Sequence, residues 1–430
     1  MNIQGQNFNF DKIPVSSEWT FKNVRSAEKW THGYHRYPAK FLPNIVKKII
    51  EEHTKVGDTV ADVFAGCGTT LVEAKIHGRK SVGVDINPVA QLIASVKTNP
   101  VNPEKLDIVF TNILNKYDDY ILEDYINIVS HERIDYWFNK ENKAKIAFLY
   151  ETIMNLHENQ KIKDFFLVAL SNTLKNCSRW LQTSTKPQID PNKVPSDPFL
   201  AFRRQVKTMI KKNLEFYQEL SRWDYLDTEC NIYLEDARST GIKSKSVDVV
   251  ITSPPYVTSY EYADLHQLTG YWFEYIENLL NFRKQFIGTF YSYGEIEKSV
   301  SNLANQTVKE IAEKHLRTAK EMSNYFSDMT AVSKEMYRIL KDEGKAFIVI
   351  GNTTFKRVKI HSAEIFAEIL QSSGFKIEDV IKRSIPHKLI PTIRDKVTGK
   401  FTTLSNKNSK LVYPEEYIII AKKTIISNKL

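Results

Sequence analysis

Short runs of apolar residues, many of them β-branched, occur towards both ends of the chain and predict the strands of a sheet. Four runs are nearly continuous in apolar character: DTVADVF at 58–64, KSVGVD at 80–85, VDVVITS at 247–253 and KAFIVIG at 345–351. Strands of this kind are buried on both faces, as in a parallel sheet covered by helices. The segments KIEDVIKR at 376–383 and EEYIIIAKK at 415–423 predict a closing pair of strands.

The region between these groups of strands is predicted to be helical. It contains no glycine between Gly83 and Gly241, whereas strands joined by tight turns usually need glycines. Apolar residues recur with helical spacing in three segments, at 141–160, 164–181 and 197–223. The pattern therefore indicates a doubly wound α/β sheet with a helical insert at about 100–230 and a second helical stretch at about 260–340.

A glycine-containing turn follows the first strand, in the segment ADVFAGCGTTLVEA. Gly66 and Gly68 allow a tight turn that a ligand can approach closely, and Asp85, at the end of the next strand, can accept hydrogen bonds from two ribose hydroxyls. Leu71 follows where a dinucleotide fingerprint has a third glycine, which disfavours a nicotinamide or flavin cofactor. A glycine turn of this kind can also be purely structural.

The strand at 247–253 ends abruptly in Ser253-Pro254-Pro255-Tyr256, which presents a serine and a tyrosine on a rigid turn. Ligands of open α/β sheets bind at the carboxyl ends of strands, where Ser253 and the Pro254 carbonyl can accept hydrogen bonds and Tyr256 can stack. Asp236 follows a short predicted strand, NIYL, and could accept from an adenine amino group. Taken singly, the turn could be a structural strand end and Asp236 a solvated loop residue.

The composition narrows the choice of partner. The net charge of +9 and the pI near 9.0 favour an acidic partner such as nucleic acid. Three scattered cysteines, with no Cys-x-x-Cys and no His-Glu-x-x-His, suggest neither a disulfide framework nor a metal site. There is no run of about 18 apolar residues and no signal-peptide pattern at the start, so we expect an intracellular protein that does not span a membrane.

Together these segments resemble the amino-group DNA methyltransferases that use S-adenosylmethionine, over about half of the chain. DVFAGCGTT is similar to that family's glycine loop, and Ser-Pro-Pro-Tyr is similar to its hallmark turn. The segments at 32–50 and 338–352 resemble the family's segment ahead of the loop and one of its later strands.

The resemblance implies a mostly parallel, seven-stranded, Rossmann-like methyltransferase sheet and a set of site residues. The catalytic residues would be Ser253, Pro254, Pro255 and Tyr256. The residues that bind S-adenosylmethionine would be Pro38, Lys40, Phe41, Asp62, Phe64, Ala65, Gly66, Gly68, Thr69, Thr70, Asp85, Ile86, Asp236 and Ala237. Residues 1–99 and 231–430 would form the cofactor-binding and catalytic halves, the latter with inserts at about 260–330 and 384–413, around the helical insert at 100–230.

In this family a serine in the turn is associated mainly with methylation of the N4 amine of cytosine in double-stranded DNA, after the base has left the duplex. The alternatives are an adenine-N6 enzyme, an RNA guanine-N2 enzyme and a binding protein on a decayed fold. Carbon-5 methylation of cytosine would need a Pro-Cys pair, which this chain lacks. We further expect a bacterial cytoplasmic enzyme, at the nucleoid when bound to DNA, within a restriction–modification system that includes a cognate endonuclease.

Target recognition has three candidate regions. The first is the helical insert, whose cationic residues are Lys175, Arg179, Lys186, Arg203, Arg204, Lys207, Lys211 and Lys212. The others are 281–294, which mixes basic and aromatic residues, and 383–401 between the last strands. Each region could equally be a solvated basic face.

Overall fold

The protein is described by a computed structural model that covers residues 9–22, 28–38, 40–257, 261–291, 293–355, 357–386, 393–396, 402–403, 405–411 and 414–424. Its strands are β1 Thr59–Asp62, β2 Lys80–Asp85, β3 Cys230–Leu234, β4 Val247–Thr252, β5 Leu340–Ile350, β6 Thr353–Phe355, β7 Val358–Ile360, β8 Phe375–Ser384, β9 Ile393–Asp395, β10 Ser409–Leu411 and β11 Glu415–Lys423.

The helices lie mostly between β2 and β3 and between β4 and β5. They are α1 Pro43–His53, α2 Thr69–Ile76, α3 Pro88–Thr98, α4 Pro103–Asn115, α5 Leu122–Tyr125, α6 Glu132–Trp137, α7 Lys140–Met154, α8 Gln160–Cys177, α9 Pro198–Arg222, α10 Tyr262–Leu265, α11 Gln267–Trp272, α12 Leu279–Gln285, α13 Asn302–Ala312, α14 Leu316–Ile339 and α15 Ser362–Ser372. None of the helices in the described ranges is long and apolar enough to cross a membrane.

Seven strands form one sheet in the order β3-β2-β1-β4-β5-β11-β8. The first five strands run parallel, and β11 lies antiparallel between β5 and β8. The predicted mostly parallel, seven-stranded α/β sheet is therefore confirmed. The β6–β7 and β9–β10 hairpins, which the pattern did not predict, are separate two-stranded sheets.

Strand order reverses between β1 and β4, because the chain winds from β1 to β2 and β3 in one direction and from β4 to β5 in the other. Side chains and turns that follow β1 and β4 therefore meet at one edge of the sheet, in the crevice where open α/β sheets bind ligands. This crevice holds both the glycine loop and the Pro-Pro turn.

The predicted helical insert packs with its neighbours and not as a separate body. Its buried aromatic residues, such as Phe165 and Trp137, share a core with Val89 and Ile93 of α3 and with Tyr271 of α11. A second core lies against the sheet on the side of α14 and α15, and a third lies under α1. The insert is thus fixed against the helix that follows β2, close to the crevice.

Candidate active site

Asp62 connects the two central strands at the crevice. This residue ends β1 and is only 3% exposed. Its carboxylate accepts hydrogen bonds from the hydroxyl of Thr70 in α2 (2.7 Å) and from the hydroxyl of Thr252 at the end of β4 (2.6 Å). A third bond comes from the backbone N–H of Phe64 (3.1 Å). Because its acceptor sites are used within the protein, Asp62 holds the loop and β4 together.

The glycine loop turns from β1 into α2 with a backbone that requires glycine. Gly66 and Gly68 have φ angles of 49° and 75°, in the left-handed region. A Cβ added to Gly68 would lie 2.8 Å from the Cβ of Ala94 in α3, and one added to Gly66 would lie 3.3 Å from the hydroxyl of Tyr37. The loop is therefore packed closely between α3 and the segment that precedes α1.

Asp85, at the end of β2, lies against this loop. One carboxylate oxygen accepts from the N–H of Gly66 (2.8 Å) and the other from the N–H of Asn87 (2.9 Å). Burial raises the pKa of Asp85 to about 6, although both N–H bonds favour the charged form. Asp85 is partly exposed as a residue, and each oxygen keeps further acceptor capacity, as binding of ribose hydroxyls would require.

A fully buried lysine supports the loop from below. Lys97 of α3 is 1% exposed, and its ammonium group donates to the carbonyl of Cys67 at 2.6 Å. The carbonyl of Lys97 accepts from the hydroxyl of Thr31 (2.8 Å), in the segment ahead of α1. Next to it, His32 and Glu73 form a buried pair at 2.7 Å, and burial raises the pKa of Glu73 to about 8. A polar layer thus joins α2, α3 and the N-terminal segment.

Ser253 directly follows β4. Its hydroxyl donates to the carbonyl of Val349 in β5 at 3.0 Å. Since the one hydroxyl proton is used in this bond, the lone pairs of Oγ are the groups that Ser253 offers to a ligand. The side chain is partly exposed, so the serine of the turn is oriented as an acceptor.

Tyr256 is held at its ring and at its hydroxyl. A Cβ added to Gly351 would lie 2.9 Å from a ring carbon of Tyr256, so the ring packs against the backbone just after β5. The hydroxyl donates to Glu416 of β11 at 3.1 Å. Glu416 in turn forms an ion pair with Arg383, which is 2% exposed and also donates to the Trp19 carbonyl at 2.7 Å.

Helix α14 supports the turn from the other side. The hydroxyl of Tyr325 donates to the carbonyl of Pro255 at 2.8 Å. One turn further along α14, Asp328 pairs with Arg238 at 2.7 Å, and Arg238 also pairs with Asp236. Both oxygens of Asp236 accept from Arg238, so this carboxylate is already engaged where the sequence places an adenine contact.

The remaining predicted cofactor residues differ in their surroundings. Lys40 donates to Glu28 (2.6 Å) and to the carbonyl of His32 (3.0 Å), within the N-terminal segment. Ala65, Thr69, Thr70 and Ala237 are buried, whereas Pro38, Phe41, Phe64 and Ile86 are partly exposed. The glycine loop, Asp85 and the Pro-Pro turn follow β1, β2 and β4, which are neighbouring strands, so the structure brings them to one edge of the sheet.

Sequence reasoning missed several residues that hold the site: Lys97, Tyr325, Arg383 and Glu416. The sequence carries one signal for Lys97, because this lysine directly follows the mostly apolar segment QLIASV of α3. Glu416 and Arg383 lie far from the motifs in sequence, and only the pairing of β8 with β11 brings them together.

The crevice fits an adenosine-containing cofactor. The two loop glycines present backbone without Cβ atoms, and the partly exposed residue Asp85 offers carboxylate acceptors next to them. A site for a metal is not evident there. Asp11, His361 and Glu364 hold ligand-type atoms within 4.8 Å of one another elsewhere in the described ranges. These groups are already paired, Asp11 with Lys359 (3.0 Å) and His361 with Glu364 (2.9 Å).

Comparisons with known proteins agree with this arrangement. The model of the N6/N4 DNA methylase family matches residues 5–95 and 247–428. The Type II methyltransferase M.MvaI of Kocuria varians is 27% identical over an alignment that covers 94% of this chain and 93% of that protein. The DNA adenine methyltransferase YhdJ of Escherichia coli is 35% identical over 82 residues, which are 19% of this chain and 26% of that protein.

Among solved structures, a TehB-like SAM-dependent methyltransferase from Corynebacterium glutamicum aligns with 88% of this chain and 87% of its own. Its sequence identity is 7% and its TM-score is 0.29, which is too low to support a conclusion. The family model, by contrast, covers more than half of the chain and includes both the glycine loop and the Pro-Pro turn. The chain therefore belongs to the N6/N4 DNA methylase family, and S-adenosylmethionine is the donor of the methyl group that it transfers to amino groups of DNA.

Proposed function

We propose that this enzyme methylates the exocyclic N4 amine of cytosine in specific sequences of double-stranded DNA. The observation that carries the proposal is the serine at position 253 of the Pro-Pro turn, whose hydroxyl proton is donated to Val349 so that Oγ acts as an acceptor for an exocyclic amine. An exocyclic amine offers two N–H donors, which is the complement of such an acceptor. In the amino-group DNA methyltransferases, serine at this position is associated mainly with cytosine-N4 methylation.

The amine of cytosine is a weak nucleophile because its lone pair is conjugated with the ring. Hydrogen bonds from the amine to Ser253 Oγ and to the carbonyl of Pro254 would hold the nitrogen in a geometry that favours donation of this lone pair. Bound S-adenosylmethionine supplies an electrophilic methyl group on a sulfonium. No strong base is required, since the nitrogen becomes much more acidic once it is methylated. Positioning provides most of the rate enhancement.

The target base has to leave the duplex to reach this crevice, at an unstacking cost of a few kcal/mol. Tyr256 is suited to offset part of this cost by stacking, because its ring is fixed by Gly351 and its hydroxyl by Glu416. A ring that is already held loses little conformational freedom when the base binds. On the cofactor side, Gly66, Gly68 and Asp85 would hold the adenosine moiety.

Adenine-N6 methylation is the second candidate, and a specific observation favours it. YhdJ, to which this chain is locally similar, is named as a DNA adenine methyltransferase. Since an adenine amine offers the same two donors to Ser253, the contacts at Oγ do not separate the two bases. The match to a DNA methylase family favours DNA over the RNA alternative.

The deciding experiment is a product analysis. The protein is incubated with labelled S-adenosylmethionine and a mixed-sequence duplex, and the DNA is then digested to nucleosides. We expect the label in N4-methyl-2′-deoxycytidine, and label only in N6-methyl-2′-deoxyadenosine would overturn the proposal. An RNA substrate of matched sequence serves as the control and should remain unlabelled.

The biological setting is a restriction–modification system. The full-length relative M.MvaI is named as a Type II methyltransferase, and such a setting supplies a partner endonuclease that cuts the same sequence when it is unmethylated. Protection of methylated plasmid DNA against restriction endonucleases of known sequence specificity would identify both the sequence and the type of partner. In this proposal residues 1–99 and 231–430 form the reaction centre, and the insert at 100–230 contributes to recognition of DNA.

A further inference from the structure

Five cations on the helical insert or in the segment beside it form no salt bridge with the described residues. Arg36, Lys175, Lys193, Arg204 and Lys207 are exposed or partly exposed. Across the part of the chain that the structure describes, none of these five groups has a carboxylate within 4.0 Å. Lys40, by contrast, is paired with Glu28. An unneutralised group of cations attracts an anionic partner.

Beside these cations lies a polar cavity of about 350 Å³ between α8 and α9. Its lining includes Asn172, Asn176, Ser196, Arg204, Gln205 and Thr208. The one acid in the lining, Asp197, is already paired with Lys145 at 2.5 Å and caps α9 through the N–H of Leu200. The cavity is therefore lined by amide and hydroxyl groups next to the positive charge of Arg204. These surroundings suit an anionic oxygen better than an apolar group.

Two of the lysines are held in place by backbone carbonyls. Lys175 donates to the carbonyl of Ser184 (2.7 Å), and Lys193 donates to those of Lys175 and Trp180 (2.7 and 2.8 Å). These bonds fix the loop between α8 and α9 and hold both charges near Arg36. Burial lowers the pKa of Lys175 to about 8, and the charges of Arg36 and Lys193 contribute. The cations thus repel one another in the free protein.

This surface borders the reaction centre through a short segment of backbone. The N–H of Arg36 donates to Asn172, which lines the cavity, at 2.9 Å. The next residue, Tyr37, covers Gly66 of the glycine loop. His35 bonds to Ser171 of α8 at 2.8 Å. A duplex bound along the cations would therefore run close to the crevice.

The geometry points to a binding surface for the sugar–phosphate backbone of double-stranded DNA, formed by Arg36, Lys175, Lys193, Arg204 and Lys207 around the cavity between α8 and α9. This inference rests on the proposed function, because it takes DNA as the substrate. It assigns the α8–α9 face to phosphate contacts that position the duplex, which carry no sequence information by themselves. Reading of base edges is left to other elements.

The test measures how DNA affinity depends on salt. Binding of a fluorescent duplex is followed by anisotropy at several salt concentrations, for the wild type and for Arg204→Ala, Lys207→Ala and the double variant. Each phosphate contact contributes about 0.9 to the slope of log K against log[salt]. We expect each single variant to reduce this slope by about one and the double variant by about two, equally for all duplex sequences.

A matched control uses two exposed lysines at the opposite edge of the sheet, Lys55 before β1 and Lys243 before β4. The Lys55→Ala/Lys243→Ala variant should keep the wild-type slope. Equal slopes for the two double variants, or an unchanged slope for Arg204→Ala/Lys207→Ala, would overturn the inference. Transfer of methyl groups to adenine instead of cytosine would overturn the proposed product and leave the slope difference intact, so the two failures are distinguishable.

Discussion

The hydroxyl of Ser253 donates its proton to the carbonyl of Val349, at 3.0 Å, and so ties the Pro-Pro turn to β5. Val349 lies on the neighbouring strand and is 2% exposed, so the acceptor is fixed by the sheet. Whether a serine acts as donor or acceptor towards a ligand depends on where its own proton goes. Here the hydrogen bond to β5 orients the Ser253 hydroxyl as an acceptor before a substrate binds.

Ser253→Ala is expected to lower kcat by about 10²–10³-fold, because it removes an acceptor positioned for the reacting amine. The dissociation constant of S-adenosylmethionine should change less than twofold, which calorimetric titration measures. Ser246→Ala is the matched control, since Ser246 precedes the other end of the same strand and its hydroxyl donates to the carbonyl of Lys243. A collapse of cofactor binding with normal turnover of the bound complex would contradict the role assigned to Ser253.

Tyr256→Phe and Tyr256→Ala should separate the hydroxyl of this residue from its ring. Loss of the bond to the Glu416 carboxylate corresponds to about 1.5–3 kcal/mol, or roughly 10- to 100-fold in kcat/KM. Loss of the ring should cost about 1–3 kcal/mol more, because a stacking surface for the base disappears. Steady-state kinetics on a short duplex measures both effects. Tyr337→Phe, which removes a hydroxyl bond to the Thr424 carbonyl, is the control and should leave the kinetics unchanged.

Glu416→Gln is expected to destabilise the fold by about 3 kcal/mol, since it leaves the buried Arg383 without a compensating charge. The adjacent variant Glu415→Gln breaks the Glu415–Lys382 pair, whose acid is 37% exposed, and should cost less than about 1 kcal/mol. Denaturant unfolding of both variants gives the comparison. Equal losses of stability would show that the buried arginine does not depend on Glu416.

Lys97→Met should weaken binding of S-adenosylmethionine by roughly 10- to 100-fold, because the charged hydrogen bond that supports the Cys67 carbonyl is worth about 1.5–3 kcal/mol. The cofactor is titrated against folded protein, with circular dichroism to verify folding. Lys105→Met, which removes a largely exposed lysine on α4, is the control. Unchanged cofactor affinity in folded Lys97→Met would mean that the loop does not need this support.

The pKa of Asp85, raised by burial to about 6, predicts a pH dependence of cofactor binding. Above that pKa the carboxylate is charged and accepts fully from ribose hydroxyls, and as the pH falls through 6 it becomes protonated. The affinity for S-adenosylmethionine should therefore be constant above about pH 7 and fall below pH 6, by at most tenfold per unit. Asp85→Asn should bind weakly at every pH, and a wild-type affinity that did not change between pH 8 and 5 would refute this assignment.

The pattern of apolar residues predicted the sheet well because its central strands are buried on both faces and their runs are uninterrupted. The predicted strand at 80–85 coincides with β2. The strand predicted at 345–351 begins too late, because β5 starts at Leu340. After the buried Leu340, residues Lys341–Gly344 are polar or small and lie in a more exposed part of β5, where the apolar signal is lost. The hairpins escaped prediction because strands of three residues are too short for any periodicity.

The motifs led to the glycine loop, Asp85 and the Pro-Pro turn, which the structure brings to one crevice. What sequence reasoning could not supply is the set of contacts between distant segments. The ion pair of Arg383 with Glu416 and the bond of Tyr325 to Pro255 depend on β11 and α14, and neither partner carries a local signature. The engagement of Asp236 by Arg238 is local, two residues apart, but its geometry depends on Asp328 of α14.

The carboxylate of Asp62 has a consequence for how this enzyme can change over evolution. It joins Thr70 and Thr252, and it lies 190 residues from the latter. The cost of closing a flexible loop grows only by about 0.6 kcal/mol for each doubling of its length. The chain between α3 and β3, which holds neither the glycine loop nor Asp85, can therefore be lengthened or exchanged while the strands keep their spacing. Specificity for a DNA sequence can diverge in that intervening chain while the distance between methyl donor and acceptor stays the same.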